Sequence, residues 1–314
     1  MKKIVLLGGS GFIGSHLYLR LSKNENYDVR VFSSKPPVNA SSAFQKSFMQ
    51  GDFRDIGLLM RVIHDADLLI HLVSSSVPGS AIHDPTGDIE NNLVGTVNLL
   101  NQIPNTSIKK VIYFSSGGTV YGNPVYLPVD EQHPLAPINP YGISKVASES
   151  YLKYFSSKFN FQYNIIRPSN PYGPGQPVDG LQGVIAAFLR RVLKGQELKV
   201  WGDGTAVRDY IYIDDLIEFV VKLIDSDHSG TEFNVGSGVG CDLNEIVRVI
   251  SEVSQTLPQV VNIGASSSTV DEIFLDISRA KKMLDWEPRF SLREGVELFY
   301  RAMTQEQRSR QNSG

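Results

Sequence analysis

Apolar runs alternate with helically spaced apolar positions through the first half of the chain. Residues 4–7 form a continuous apolar run and read as a buried strand. Phe12–Leu21 follows with helical spacing, then 29–32 as a second strand and Ile56–Ile63 as a helical stretch. Residues 68–73 read as a third strand. Residues 88–102 read as a longer amphipathic helix with Ile89, Leu93, Val97 and Leu100 on one side. Strand, helix and strand continue at 111–115, 141–155 and 162–167. This rhythm predicts an α/β fold of the Rossmann type: a doubly wound parallel sheet, covered on both faces, with right-handed crossovers.

After Arg167 the rhythm breaks. Pro168, Pro171, Pro174 and Pro177, with Gly173, Gly175 and Gly180, mark an irregular loop region. A helix at 184–194, strands at 198–201 and 210–213 and a helix at 215–224 follow. Further helices are expected at 243–253, 278–284 and 292–303, and the polar stretch 304–314 is expected to be a disordered tail. Trp201 and Trp286 are expected to be packing residues.

Composition excludes several classes. The 314 residues are 41% hydrophobic with a net charge of −3, so a core is affordable and no basic footprint for nucleic acid exists. The single cysteine, Cys241, rules out a disulfide framework and fits a reducing compartment. No apolar run is long enough to span a membrane, and the apolar run after Met1 is too short for a signal segment. A cytoplasmic location is expected. The six histidines, His16, His64, His71, His83, His133 and His228, lack metal-ligand spacing, so no metal site is expected.

The chemistry starts at Gly8-x-x-Gly11-x-x-Gly14, which follows the first strand and opens the first helix. Glycines there permit a tight turn and close approach of a pyrophosphate, while the free N–H groups around Phe12 and Ile13 face the anion. Asp52, beside Phe53, is placed to accept an adenine amino group, and Val73 ends the third strand at the sheet's carboxyl edge. Asn92 either orients backbone at the site or is exposed. About 20 residues past the glycines an NAD site usually carries an acid. Ser33 stands there, followed by Lys35, which could attract a 2′-phosphate. NAD and NADP both stay open.

Tyr141 and Lys145 are i and i+4 on one helix behind Pro140, so their side chains share a face. A phenol is a poor base at neutral pH, and lowering its pKa by about three units takes roughly 4 kcal/mol. A neighbouring ammonium and a nicotinamide cation in a dry cleft would supply it.

Together these motifs resemble the NAD-dependent epimerase/dehydratase family of extended short-chain dehydrogenases/reductases, of the nucleotide-sugar 4-epimerase type. The landmarks are the glycine turn, the run Ser115-Ser116-Gly117-Gly118-Thr119-Val120-Tyr121-Gly122, Tyr141-x-x-x-Lys145, Asn170-Pro171-Tyr172-Gly173 and Arg208-Asp209-Tyr210 through Asp215. They cover nearly the whole chain. The resemblance implies a dinucleotide-binding domain from 1–167 plus about 207–236, and a smaller α/β substrate-binding domain from 168–206 plus 237–303. It implies bound NAD contacting Ser115 and Pro168 besides the residues above, and a homodimer through the helices at 88–102 and 141–155, with Leu99, Tyr151 and Tyr154 outward. Tyr141 would take a proton from a sugar hydroxyl, and Lys145 would hold the nicotinamide ribose.

Two departures matter. Relatives place the hydroxyl that bonds the reacting oxygen where this chain has Gly117. Ser116, slightly favoured, or Thr119 must serve instead. Dehydratases carry an Asp-Glu pair at Gly118 and Thr119, and decarboxylases a Glu at Thr119, so epimerisation is favoured. On the substrate side Asn170 and Arg208 would contact the diphosphate and Leu181 and Gln182 the base, but Ser266 and Thr269 replace a usual Arg and Asp. The leading reading is an epimerase of a UDP-hexose or UDP-N-acetylhexosamine. The alternatives are an NADPH-consuming ketoreductase and a non-catalytic dinucleotide-binding protein.

Overall fold

The computed structural model describes residues 1–37, 41–177, 183–264 and 270–311. Its strands are β1 (Lys2–Leu7), β2 (Tyr27–Ser33), β3 (Phe48–Gln50), β4 (Leu68–His71), β5 (Lys110–Phe114), β6 (Gln162–Pro168), β7 (Asn170–Tyr172), β8 (Leu198–Trp201), β9 (Val207–Tyr212), β10 (Thr231–Val235), β11 (Gly240–Cys241), β12 (Val260–Ile263) and β13 (Glu272–Ile273). A seven-stranded sheet runs β10-β6-β5-β4-β1-β2-β3, and every pairing in it is parallel. The strand order reverses between β1 and β4, which makes the crevice beyond their carboxyl ends the switch point where α/β sheets bind ligands.

Alternation along the strands builds two cores. Ile4, Leu6, Leu68, Ile70, Ile112 and Ile166 face one layer of helices, while Val5, Leu7, Leu69, Val111 and Ile165 face the other. Successive residues point to opposite faces, so a strand covered on both sides must be apolar at every position. That is why 4–7 was legible as a strand. β10 was not, because Thr231-Glu232-Phe233-Asn234-Val235 carries polar residues that the fold buries: Asn234 is inaccessible, and its side chain donates to Val129 O at 2.8 Å.

Beyond β6 the chain builds a smaller lobe. β9 is flanked by β11 and β13 and also pairs with β7, while β8 and β12 form a separate pair. β9 therefore belongs to the smaller sheet, and the helix Ile213–Asp225 leads back to β10 of the large one. Among the described residues no helix is long and apolar enough to cross a membrane.

Four expectations are corrected. The last helix is Leu292–Gln311, so 304–311 is helical rather than a disordered tail. The stretch expected as one helix at 88–102 is a short helix Pro85–Asp88, a π-helical segment Ile89–Val94 and a helix Gly95–Gln102. Its buried face carries Asp88, Asn92 and Thr96, whereas Ile89 stands outward. Leu99 is fully buried, so it is no dimer contact, while Tyr151 and Tyr154 are exposed. Trp286 packs inside and donates to Asp215 O, but Trp201 is exposed.

One buried ion pair ties the helix Pro140–Phe159 to the sheet. Arg167 Nε and Nη2 donate to Glu149 Oε1 and Oε2 at 3.0 and 2.6 Å, with both side chains nearly inaccessible. Arg167 Nη1 also donates to the Tyr121 hydroxyl, which donates to Asn234 Oδ1. Removing one partner of such a pair strands the other charge in the interior. Glu149→Leu is expected to cost about 3–5 kcal/mol by urea unfolding, and a loss near zero would contradict this role.

Candidate active site

The site is assembled at the carboxyl edge of the sheet. Gly8 sits at φ +81°, and a Cβ there would stand 3.1 Å from Val73 N, so the turns after β1 and β4 touch backbone to backbone. Gly14 lies against Gly9, where a Cβ would meet Gly9 Cα at 2.5 Å. The helix Phe12–Leu21 starts at Gly11 with no side-chain cap and no acid in its first turn. Its leading N–H groups around Phe12 and Ile13 are therefore open to an anion. Ser33 is buried, and its Oγ accepts Ser10 N–H at 3.2 Å, which braces the glycine turn from β2.

Asp52 is engaged from both oxygens by Arg54, whose Nε donates at 2.9 and 3.0 Å. That pairing holds its carboxyl below the usual range. An adenine amino group would share it with Arg54. Phe53 is buried beside His71, with ring centroids 5.7 Å apart. Asn92 is buried and orients backbone: its Oδ1 accepts Ser75 N–H at 2.8 Å, and its Nδ2 donates to Ser76 Oγ and Asp88 Oδ1.

The helix bearing Tyr141 begins with Asn139, whose Oδ1 accepts Gly142 N–H at 2.9 Å, and Pro140. Gly142 lets that end settle on the loop after β5; a Cβ there would lie 2.7 Å from Thr119 O. Tyr141 and Thr119 are thereby neighbours. Lys145 is buried, donates to Phe114 O at 2.9 Å and stands 5.5 Å from the Tyr141 ring centroid. Burial pushes its ammonium down to about 8, against the opposing pull of Asp88 and Glu149. Burial raises the Tyr141 hydroxyl above the usual phenol range, and a hydrogen bond from Ser74 works the other way. The lowering expected from Lys145 and a nicotinamide cation together is not seen in the protein alone, where desolvation dominates.

The Thr119 hydroxyl is buried and, among the described residues, lacks a hydrogen-bond partner; the Ser115 hydroxyl shares that state. Such an orphan is costly unless a ligand satisfies it. Ser116 is half-buried. Gly117 is glycine for a steric reason: a Cβ would lie 2.6 Å from Leu275 Cδ1 and 2.9 Å from Arg167 O. Its N–H donates to Pro168 O at 2.8 Å.

A family model described as the NAD dependent epimerase/dehydratase family matches residues 4–236. The chain belongs to this family. It is 34% identical over 295 residues to the putative UDP-glucose 4-epimerase of Methanocaldococcus jannaschii, covering 93% of this chain and 95% of that one. It is 30% identical to a dTDP-4-dehydro-6-deoxyglucose reductase of Escherichia coli, covering 96% and 97%. The crystal structure of the UDP-glucose 4-epimerase of Thermotoga maritima with UDP-glucose superposes with a TM-score of 0.91 at 31% identity, covering 97% and 99%.

Of the residues expected to contact substrate, Asn170 is exposed and its Nδ2 donates to Asp209 O at 2.9 Å. Arg208 bridges backbone: it donates to Val207 O at 2.7 Å and to the carbonyls of Asp271 and Val270. Phosphate contact would draw it from those carbonyls. Leu181, Gln182, Ser266 and Thr269 lie outside the described residues. Among the described residues no group of acids, histidines and cysteine could hold a metal ion.

Sequence reasoning placed Ser74 with Val73 at the sheet's carboxyl edge without a bond to Tyr141, and it missed Asp88 and Ser144. Asp88, Asn92 and Thr96 at i, i+4 and i+8 form a polar stripe that could have exposed the first turn of this network. Gly117→Ser, which restores a hydroxyl at the position relatives use, is expected to destabilise by about 1–3 kcal/mol through overpacking. Gly118→Ala, with nothing within 4 Å of its Cβ, is expected to be tolerated. Thermal unfolding compares the two, and equal melting temperatures would contradict the steric account.

Proposed function

We propose that this chain is a nucleotide-sugar 4-epimerase that inverts C4 of a UDP-hexose or UDP-N-acetylhexosamine by transient oxidation to a 4-keto sugar with NAD retained. The Lys145 ammonium 5.5 Å from the Tyr141 ring, the start of their helix packed against the Thr119 backbone, and the buried, unpartnered Thr119 hydroxyl carry the reading. The family description supports NAD, and the relatives named as UDP-glucose 4-epimerases support the substrate class. The backbone-only contact at Gly8 and the orphaned Ser115 hydroxyl fit a dinucleotide laid across the switch point.

Bound NAD supplies a reversible two-electron acceptor. Tyr141 takes the C4 hydroxyl proton and returns it when the ketone is reduced on its other face. Lys145 keeps positive charge beside the phenol, which offsets the burial penalty on its ionised form. Thr119 donates to the C4 oxygen. Gly118 and Thr119 leave no acid–base pair for expelling water, which sets dehydration aside.

Tyr141→Phe is expected to lower kcat by about 10²–10⁴-fold and Thr119→Val by about 10²-fold, while Ser116→Ala stays near wild type. The reverse order of Thr119 and Ser116 would move the hydroxyl role to Ser116. Denaturation is expected to release stoichiometric NAD; NADP, or an empty site together with NADPH consumption, would favour the reductase reading.

We also place the enzyme in the cytoplasm, which the half-buried thiol of Cys241, pushed up to about 12 by burial, tolerates without reactivity. A homodimer would cover Ile89, Tyr151 and Tyr154, exposed on neighbouring helices. Light scattering at micromolar concentration is expected to give twice the chain mass, and a monomer would contradict the dimer.

A further inference from the structure

Asp88 is a buried acid that neither the motifs nor the reaction above uses. Its side chain is nearly inaccessible, and it accepts three hydrogen bonds: from Ser76 Oγ, from Asn92 Nδ2 at 2.9 Å and from Ser144 Oγ. Those donors come from three places: the loop after β4, the π-helical segment Ile89–Val94 and the helix that carries Tyr141 and Lys145. A π-helical stretch often marks a functional site, because the extra residue re-aims the side chains around it.

The loop it holds reaches Tyr141. Ser76 O accepts Ser74 Oγ–H at 3.0 Å, and Ser74 stands close enough to the Tyr141 hydroxyl to favour its ionised form. The Ser74 hydroxyl has one proton, so it must turn from Ser76 O towards Tyr141 once the phenol ionises. Asp88 anchors the loop on which that turn happens.

The charge balance singles it out. The acids that favour the Lys145 ammonium are Asp88 and Glu149. Glu149 is already neutralised by Arg167 from both oxygens. Among the described residues no lysine or arginine forms an ion pair with Asp88, so its charge stays available to Lys145.

We propose that Asp88 is a positioning residue of this site, tying the 74–76 loop to the Tyr141 helix and supplying the buried counter-charge of Lys145. The inference rests on the reading of Tyr141 and Lys145 as the reacting pair. The titratable groups it acts on are Tyr141 and Lys145 on the helix and Tyr113 on β5; Lys145 also faces Glu149 and, from β4, His71, whose imidazole burial pushes down to about 3 and keeps neutral.

Asp88→Asn keeps the shape and removes the charge. The negative charge raises both Tyr141 and Lys145. Without it, Tyr141 ionises at lower pH and Lys145 loses its proton at lower pH. Both limbs of the kcat profile for UDP-glucose epimerisation therefore move to lower pH, by about one unit, with kcat at the optimum largely kept. A profile that stays in place while kcat falls equally at every pH would reduce Asp88 to a structural residue and overturn the proposal. Ser144→Ala removes the tether and leaves the charge; it is expected to lower kcat several-fold without moving the profile, and wild-type kcat would overturn the tether even if Asp88→Asn failed to fold. Tyr141→Phe runs in parallel. If it keeps its activity, the reading beneath the proposal fails; if it is dead while Asp88→Asn leaves the profile unmoved, the proposal alone fails.

Discussion

The Arg167–Glu149 pair is the constraint on which the site depends. Glu149 lies one turn beyond Lys145 and two beyond Tyr141, on one stripe of one helix. Fixing Glu149 on the end of β6 fixes the rotation of that stripe over the crevice. Arg167 also reaches the Tyr121 hydroxyl, and its neighbour Pro168 takes the Gly117 N–H. One cation thus sets the helix, the loop 115–122 and the strand end together. A pair this deeply buried gains little net stability over an apolar replacement, since desolvation offsets the attraction. Its contribution is a single geometry.

Charge inside the site is arranged with the same economy. Burial drives the Lys145 ammonium and the Tyr141 phenol toward their neutral forms. The chemistry needs the opposite of both. Asp88 supports the ammonium but opposes the phenolate, and the Ser74 hydroxyl supports the phenolate. The protein alone therefore holds Tyr141 as a phenol. In the proposed reaction a cationic nicotinamide held here would favour the phenolate, which would couple proton removal to binding.

Sequence and structure agree where a residue's job is local. The apolar run at 4–7, the glycine turn and the Tyr141–Lys145 spacing each depend on neighbours a few positions away, and they were legible. The Arg167–Glu149 pair, the Tyr121–Asn234 bond and the Ser144–Asp88 bond join residues 18, 113 and 56 positions apart, and no local pattern announces them. Gly117 shows the mixture. Its lack of a hydroxyl was plain from the sequence, but the reason, Leu275 and the Arg167 carbonyl pressed against it, comes from residues far along the chain. In the stretch 88–102, Leu100 and Val97 pack inward as expected, but Ile89 does not, and the buried polar stripe of Asp88, Asn92 and Thr96 went unread because a polar stripe facing a site looks like a solvent face.

The central claim is oxidation and re-reduction at one carbon. The direct measurement is proton NMR of UDP-glucose incubated with the protein in D2O. The account predicts conversion to UDP-galactose with the C4 hydrogen retained, since that hydrogen leaves and returns without meeting solvent. Deuterium at C4 of the product would contradict it and point to proton exchange at carbon instead.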